Sequence, residues 1–189
     1  MLKQAIGWTA LVAGLAAVAY AVRPAEQNTM KDTADVERGR YVVNAFGCAD
    51  CHTPMKLGPN GPEQDTTMMF AGHPEKLVMP PAPALPPGPW AATVAGTMTA
   101  WSGPWGVSFT ANLTPDPETG LGKWSAKDFV DTLRTGRHLG RGREILPPMP
   151  WAAIRNLSDA DLRSVFAYLQ TLAPIQNRVP TPLPPEGTH

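Results

Sequence analysis

Apolar positions along this 189-residue chain form three helical stripes, and a long stretch with no period separates the first from the other two. The first stripe is Val36, Tyr41, Val42, Val43 and Phe46, broken by Glu37, Arg38 and Arg40. With Asp35 placed to cap it, the stripe predicts a helix from Asp35 that runs straight into Cys48. The second opens on Ser125-Ala-Lys-Asp, a capping box, carries Phe129, Val130 and Leu133, and stops at Gly136. The third opens on a similar box at Ser158 to Asp161, presents Leu162, Val165, Phe166 and Leu169, and ends before Pro174. Residues 54–106 are rich in Pro, Gly and Met, most densely in LVMPPAPALPPGPW, and sustain neither period. They are expected to be irregular, with short extended pieces around Thr93 to Thr99. An irregular segment of this length inside a compact domain is usually functional. From Ile175 onward, Pro180, Pro182, Pro184 and Pro185 predict an extended tail.

Ahead of the first stripe, an uncharged run from Gln4 to Val22 lies between Lys3 and Arg23. It predicts a hydrophobic helix that is either a signal peptide or a membrane anchor. Ala19 and Ala21 suit cleavage, whereas Trp8 and Tyr20 suit interfacial anchoring, and both readings imply export. The polar residues that follow read as a tether. The expected organisation is therefore a signal or anchor over 1–23, a tether over 24–34, one cored domain over 35–175 and a Pro-rich tail over 176–189.

Lys plus Arg number 16 and Asp plus Glu number 16, so the net charge is zero and no strong field of either sign favours nucleic acid. Chemistry concentrates in one place. The chain has two cysteines, and both fall in Cys48-Ala49-Asp50-Cys51-His52. At this spacing a helical turn sets both thiols to add to the two vinyl groups of a haem, and the next residue supplies an imidazole to the iron. Competing readings fit less well. A disulfide across two residues staples little, no βαβ pattern supports a thioredoxin-like pair, and a zinc site would need ligands from His73, His138 or His189, none at finger spacing. One haem c bound by Cys48 and Cys51, with His52 as proximal iron ligand, is the expected cofactor.

The distal ligand then decides between a saturated electron carrier and an open, ligand-binding haem. Candidates are Met55, Met68, Met69, Met79, Met98 and Met149, with His73 and His138 as bis-histidine options. Met149 is preferred because Leu-Pro-Pro-Met-Pro-Trp holds its sulfur on a stiff loop before the closing helix; Met79, in Val-Met-Pro-Pro, is its rival. Arg137, Arg141 and Arg143 are available to haem carboxylates, and Trp101, Trp105 and Trp151 to its edge.

The motif, Phe109-Thr-Ala-Asn112-Leu-Thr-Pro-Asp116, Glu118-Thr-Gly-Leu-Gly122, Pro147-Pro-Met-Pro-Trp151 and Asp161-Leu through Ala167-Tyr168-Leu169 together resemble class I cytochrome c domains. They are most similar to those in the cytochrome subunits of membrane-bound bacterial alcohol and gluconate dehydrogenases. Those subunits carry three haems, and this chain has one attachment motif. The resemblance implies an all-α, class I cytochrome c-like fold with a long Pro/Gly-rich insertion, in which Gly39 lets the first helix cross the last near Phe166 or Tyr168. It also implies Met149 as distal ligand, and the Pro59 carbonyl as acceptor for the His52 ring N–H. The implied function is an electron carrier, not an enzyme, on the periplasmic side of the bacterial inner membrane. It would pass electrons from a donor dehydrogenase to a terminal oxidase or other acceptor. The alternative is a haem-based gas sensor with an open distal site.

Overall fold

The computed structural model describes residues 24–85 and 88–185. The expected signal or anchor, residues 1–23, lies outside them, and among the described residues no helix is long and apolar enough to cross a membrane. Helix α1 covers Pro24–Ala45, so it takes in the segment read as a tether. Gly47, in the left-handed region at φ 61°, turns the chain into the five-residue helix α2, Cys48–His52. Helices α3 (Ala126–Thr135), α4 (Trp151–Ile154) and α5 (Asp159–Leu169) follow late in the chain.

Of the three predicted caps, those at Ser125 and Ser158 form; Asp35 does not cap α1, because the helix begins at Pro24 and Asp35 lies inside it. Ser125 Oγ accepts from Asp128 N at 3.1 Å while Asp128 Oδ2 accepts from Ser125 N at 3.0 Å. Ser158 Oγ likewise accepts from Asp161 N at 3.0 Å.

The expectation of an all-α fold is wrong. Strands β1 (Met55–Gly58) and β2 (Gly61–Gln64) form an antiparallel hairpin closed by Pro59 and Asn60. Strands β3 (Thr93–Val94), β4 (Ala100–Gly103) and β5 (Gly106–Phe109) form a three-stranded antiparallel sheet. The predicted extended piece near Thr93 corresponds to β3 alone. The sheets escape a reading of hydrophobic period because no strand among the described residues exceeds four residues, too few to establish an alternation. Their hairpins are set instead by local turn chemistry at Gly58-Pro-Asn-Gly61 and Gly103-Pro-Trp-Gly106. The Pro-rich tail joins this sheet: Val107 and Leu183 exchange both backbone hydrogen bonds, each 2.9 Å.

The core lies where α1, α3 and α5 meet. Val42 and Val43 of α1, Phe129, Val130 and Leu133 of α3, and Leu162, Val165, Phe166 and Leu169 of α5 are all buried in one cluster. A Cβ at Gly39 would run into the Ser164 backbone carbonyl and lie 2.9 Å from Tyr168 Cβ, so α1 and α5 cross at a distance only glycine permits. That crossing fixes where α1 ends, and so where α2 presents its three chemical groups.

Candidate functional site

His52 ends α2 and is 7% exposed. Its Nδ1 lies 2.8 Å from the Ala111 carbonyl oxygen. A carbonyl can only accept, so Nδ1 carries the proton and Nε2 keeps its lone pair. Burial lowers the pKa of the ring, against a smaller opposing effect of the Ala111 bond, and keeps the imidazole neutral near pH 7. Neutral imidazole with a free Nε2 is the form that binds a metal.

The expected acceptor, Pro59, is instead in the turn of the β1–β2 hairpin. That hairpin is part of the insertion after His52, and the chain returns to the ring only at Ala111. The segment on the way back is anchored twice: Gly72 N donates to His52 O at 2.8 Å, and His73 N donates to Thr110 O at 3.0 Å.

Cys48 and Cys51 are both free thiols and partly buried. Burial pushes the Cys48 thiol up to about 11 and raises that of Cys51 as well, the opposite of what an activated redox pair requires. Among the described residues no group of three or more His, Cys, Asp or Glu side chains could hold a metal ion; His189, one of the zinc candidates, lies outside them.

All three motif residues line a cavity of about 450 Å³, within the usual size of a cofactor site. Of the methionines whose side chains are described, Met149 alone lines this cavity. Its rival Met79 does not, and Met69 packs on the core, where its sulfur accepts from Thr53 Oγ1 at 3.4 Å. His73, 0% exposed, is occupied elsewhere: Nε2–H donates to Leu77 O at 3.0 Å, and Nδ1 accepts from Thr99 Oγ1 at 3.0 Å. His138 does line the cavity, edge-on to Trp124 with ring centroids 5.1 Å apart, but it is an exposed residue whereas Met149 is partly buried against the core.

The lining suits a flat apolar group with acidic substituents. Most of it is aliphatic and aromatic, from Val42, Leu121, Phe129 and Leu133 among others. Trp101 Nε1 is a buried donor with no acceptor among the described residues, and Trp101 is part of the lining. A buried unpaired N–H is costly unless something bound there accepts from it. Arg143 also lines the cavity, although the residue as a whole is exposed. Arg137 and Arg141 do not: Arg137 pairs with Glu144 at 2.8 Å, and Arg141 turns back to Leu139 O at 3.2 Å. Trp105 lines a smaller neighbouring cavity, and Trp151 packs on the core.

Two contributors were missed by sequence reasoning. Arg178, in the tail, lines the cavity because the tail folds back over it. Ala111 acts through its backbone, so no side-chain chemistry marks it; its only signal was membership of the Phe109–Asp116 motif.

No protein-family model matches the chain. It is 31% identical to a subunit of the nicotinate dehydrogenase of Pseudomonas putida over 150 residues, which is 78% of this chain and 9% of that protein. It is 29% identical to the cytochrome c subunit of a quinone alcohol dehydrogenase of Gluconobacter oxydans, over 92% of this chain and 29% of the relative. To the fructose dehydrogenase cytochrome subunit of Gluconobacter japonicus it is 28% identical, over 72% of this chain and 21% of the relative. The chain thus spans less than a third of the length of each of these relatives. With the Cys-x-x-Cys-His turn at the cavity wall and these matches over most of its length, the chain is a homologue of the cytochrome c subunits of bacterial alcohol, fructose and gluconate dehydrogenases.

Proposed function

We propose that this chain is a single-haem electron carrier that works as the cytochrome partner of a dehydrogenase and hands electrons to a terminal acceptor. Cys48 and Cys51 would attach the haem, and His52 and Met149 would hold its iron. The observation that carries the reading is that all four residues line one apolar cavity although Met149 is distant from the motif in sequence. A bound haem would supply one-electron chemistry, and the residues that hold and bury it would set its potential. His52 Nε2 offers a lone pair fixed in direction by the Ala111 bond. Met149 offers a soft sulfur, which would favour ferrous iron when the haem is bound. Trp101 Nε1 and the Arg143 and Arg178 guanidinia suit the haem carboxylates. A single haem follows from the single attachment motif in the chain. The uncharged run over residues 4–22 supports export to the periplasmic side of the inner membrane.

The test is covalent haem. Haem staining that survives denaturing electrophoresis is expected for the wild type, and its absence would overturn the proposal. In the native reduced protein a sulfur-ligated spectrum that carbon monoxide does not quickly change is expected. Rapid carbon monoxide binding would reassign the chain as a ligand-binding haem protein, and a bis-histidine spectrum would move the distal role to His138.

A further inference from the structure

The tail after α5 carries one residue more deeply buried than its polarity suggests. Asn177 is 3% exposed, and its amide spans both sides of a single loop. Nδ2 donates to Ala71 O at 2.7 Å and to His73 O at 2.9 Å, while Oδ1 accepts from Glu75 N at 2.8 Å. Its backbone N–H donates to Thr119 Oγ1 at 3.0 Å. Both amide N–H groups and the amide oxygen thus have partners, which for a buried side chain amounts to a fixed geometry.

What the clamped loop holds is the proximal wall. Gly72 N donates to His52 O, and His73 N donates to Thr110 O, the residue before the Ala111 carbonyl on the His52 ring. Gly72 itself sits so close to Thr110 O and Ala111 that no Cβ fits between them. On the far side, Asn112 closes the same circuit: its Nδ2 donates to Ile175 O at 2.8 Å and to Thr119 Oγ1 at 3.2 Å, tying the residue after Ala111 to the tail. Ala111 is therefore braced from both neighbours, and both braces lead to the tail around Asn177.

We propose that Asn177 is a positioning residue for the proximal ligand, holding the Ala111 carbonyl against His52 Nδ1 through the Ala71–His73 segment. The proposal rests on His52 binding the iron. Its consequence is that the tail tunes the cofactor rather than merely covering it. Loosening the clamp weakens the Nδ1–H bond, which makes the imidazole a poorer electron donor and raises the reduction potential.

The experiment uses the haem-loaded full chain with Asn177→Ala. Exchange of the His52 Nδ1 proton, followed by NMR, is expected to quicken roughly tenfold, as befits loss of a buried hydrogen-bond clamp. The midpoint potential is expected to rise, and the amides of Gly72 and His73 to lose protection. Asn156→Ala is the control: its amide bonds Ala152 O and Ala153 O at 3.2 Å on an exposed helix end, and it bonds neither the Ala71–His73 segment nor the Thr110–Asn112 segment. Unchanged proton exchange and potential in Asn177→Ala, with only global stability reduced, would overturn the positioning role. If that variant does not accumulate, Thr119→Val carries the same two outcomes at smaller amplitude, because Thr119 Oγ1 accepts from both Asn177 and Asn112. A wild type lacking covalent haem or a His52-ligated iron would sink the underlying function reading instead, so the two failures are separable.

Discussion

His52 and Met149 line the same cavity, yet the chain fixes one with hydrogen bonds and the other with prolines. His52 has its ring bonded to Ala111, its carbonyl bonded to Gly72, and the residue after it, Thr53, fully buried and accepting from Phe70 N at 3.0 Å. Met149 stands between Pro148 and Pro150, with Pro147 before them, so its loop is stiff but short of backbone donors. Its visible polar tie is Ser108 Oγ, which donates to Pro147 O at 2.5 Å from β5. The difference matches what each group must do. An imidazole is useful only when its ring plane and tautomer are set, and directional bonds do that. A thioether needs only to be placed, and it tolerates rotation about its own bonds.

Breaking the proximal wall outright is expected to have the largest effect. Cys48→Ala combined with Cys51→Ala should abolish haem staining after denaturing electrophoresis, and each single change should weaken it.

Met149→Ala comes next. It should leave covalent haem intact, remove the spectral signature of sulfur ligation, lower the midpoint potential and open the iron to carbon monoxide. His138→Ala should do none of these things, and the reverse result would exchange the two roles.

Gly39→Ala reaches the proximal wall from behind. Pushing α1 off the Ser164 carbonyl is expected to cost about 1–3 kcal/mol, the usual range for overpacking, measurable by denaturant unfolding. The distal wall should be less sensitive. Ser108→Ala is expected to cost about 1 kcal/mol and to alter the methionine-dependent spectrum more than the His52 proton exchange.

The smallest effect is expected at the α1–α5 surface. Arg38 Nε donates to Asp161 Oδ1 at 2.7 Å, and that bond, with Ser158, holds the Asp161 carboxyl below its ordinary pKa. A depressed folded pKa contributes stability that is present above the unfolded value. It disappears as pH falls through the folded one, so the contribution fades below about pH 4. Arg38 is exposed and Asp161 is partly buried, and Asp161→Asn should cost no more than about 1 kcal/mol at neutral pH, less in high salt. A pH titration of unfolding in wild type and variant checks both statements.

Much of the frame was legible because it rests on local rules. The full capping box at Ser125 and the one-sided cap at Ser158 form, and the stripes on α3 and α5 with Val42 and Val43 of α1 supply the core, whereas Tyr41 and Phe46 of the α1 stripe are exposed. The motif's chemistry was legible for the same reason, since five consecutive residues place two thiols and an imidazole on one turn. The insertion was not. Its strands run to four residues at most, and their pairing depends on turns and on the tail strand at Leu183 rather than on any period. The Pro59 expectation failed for a related reason, because a carbonyl has no residue identity to read, and which one meets His52 depends on how the insertion is folded.

By itself, then, the sequence determined the amphipathic helices α3 and α5 with their caps at Ser125 and Ser158, and a Cys48–Cys51–His52 turn, because each is written within a few residues of chain. Only the tertiary structure decided which carbonyl orients His52, which methionine shares its cavity, and that Asn177 and Arg178 reach back to the site. Those choices join residues far apart in the chain, where no local spacing carries information and only the closed set of buried hydrogen bonds selects the partner.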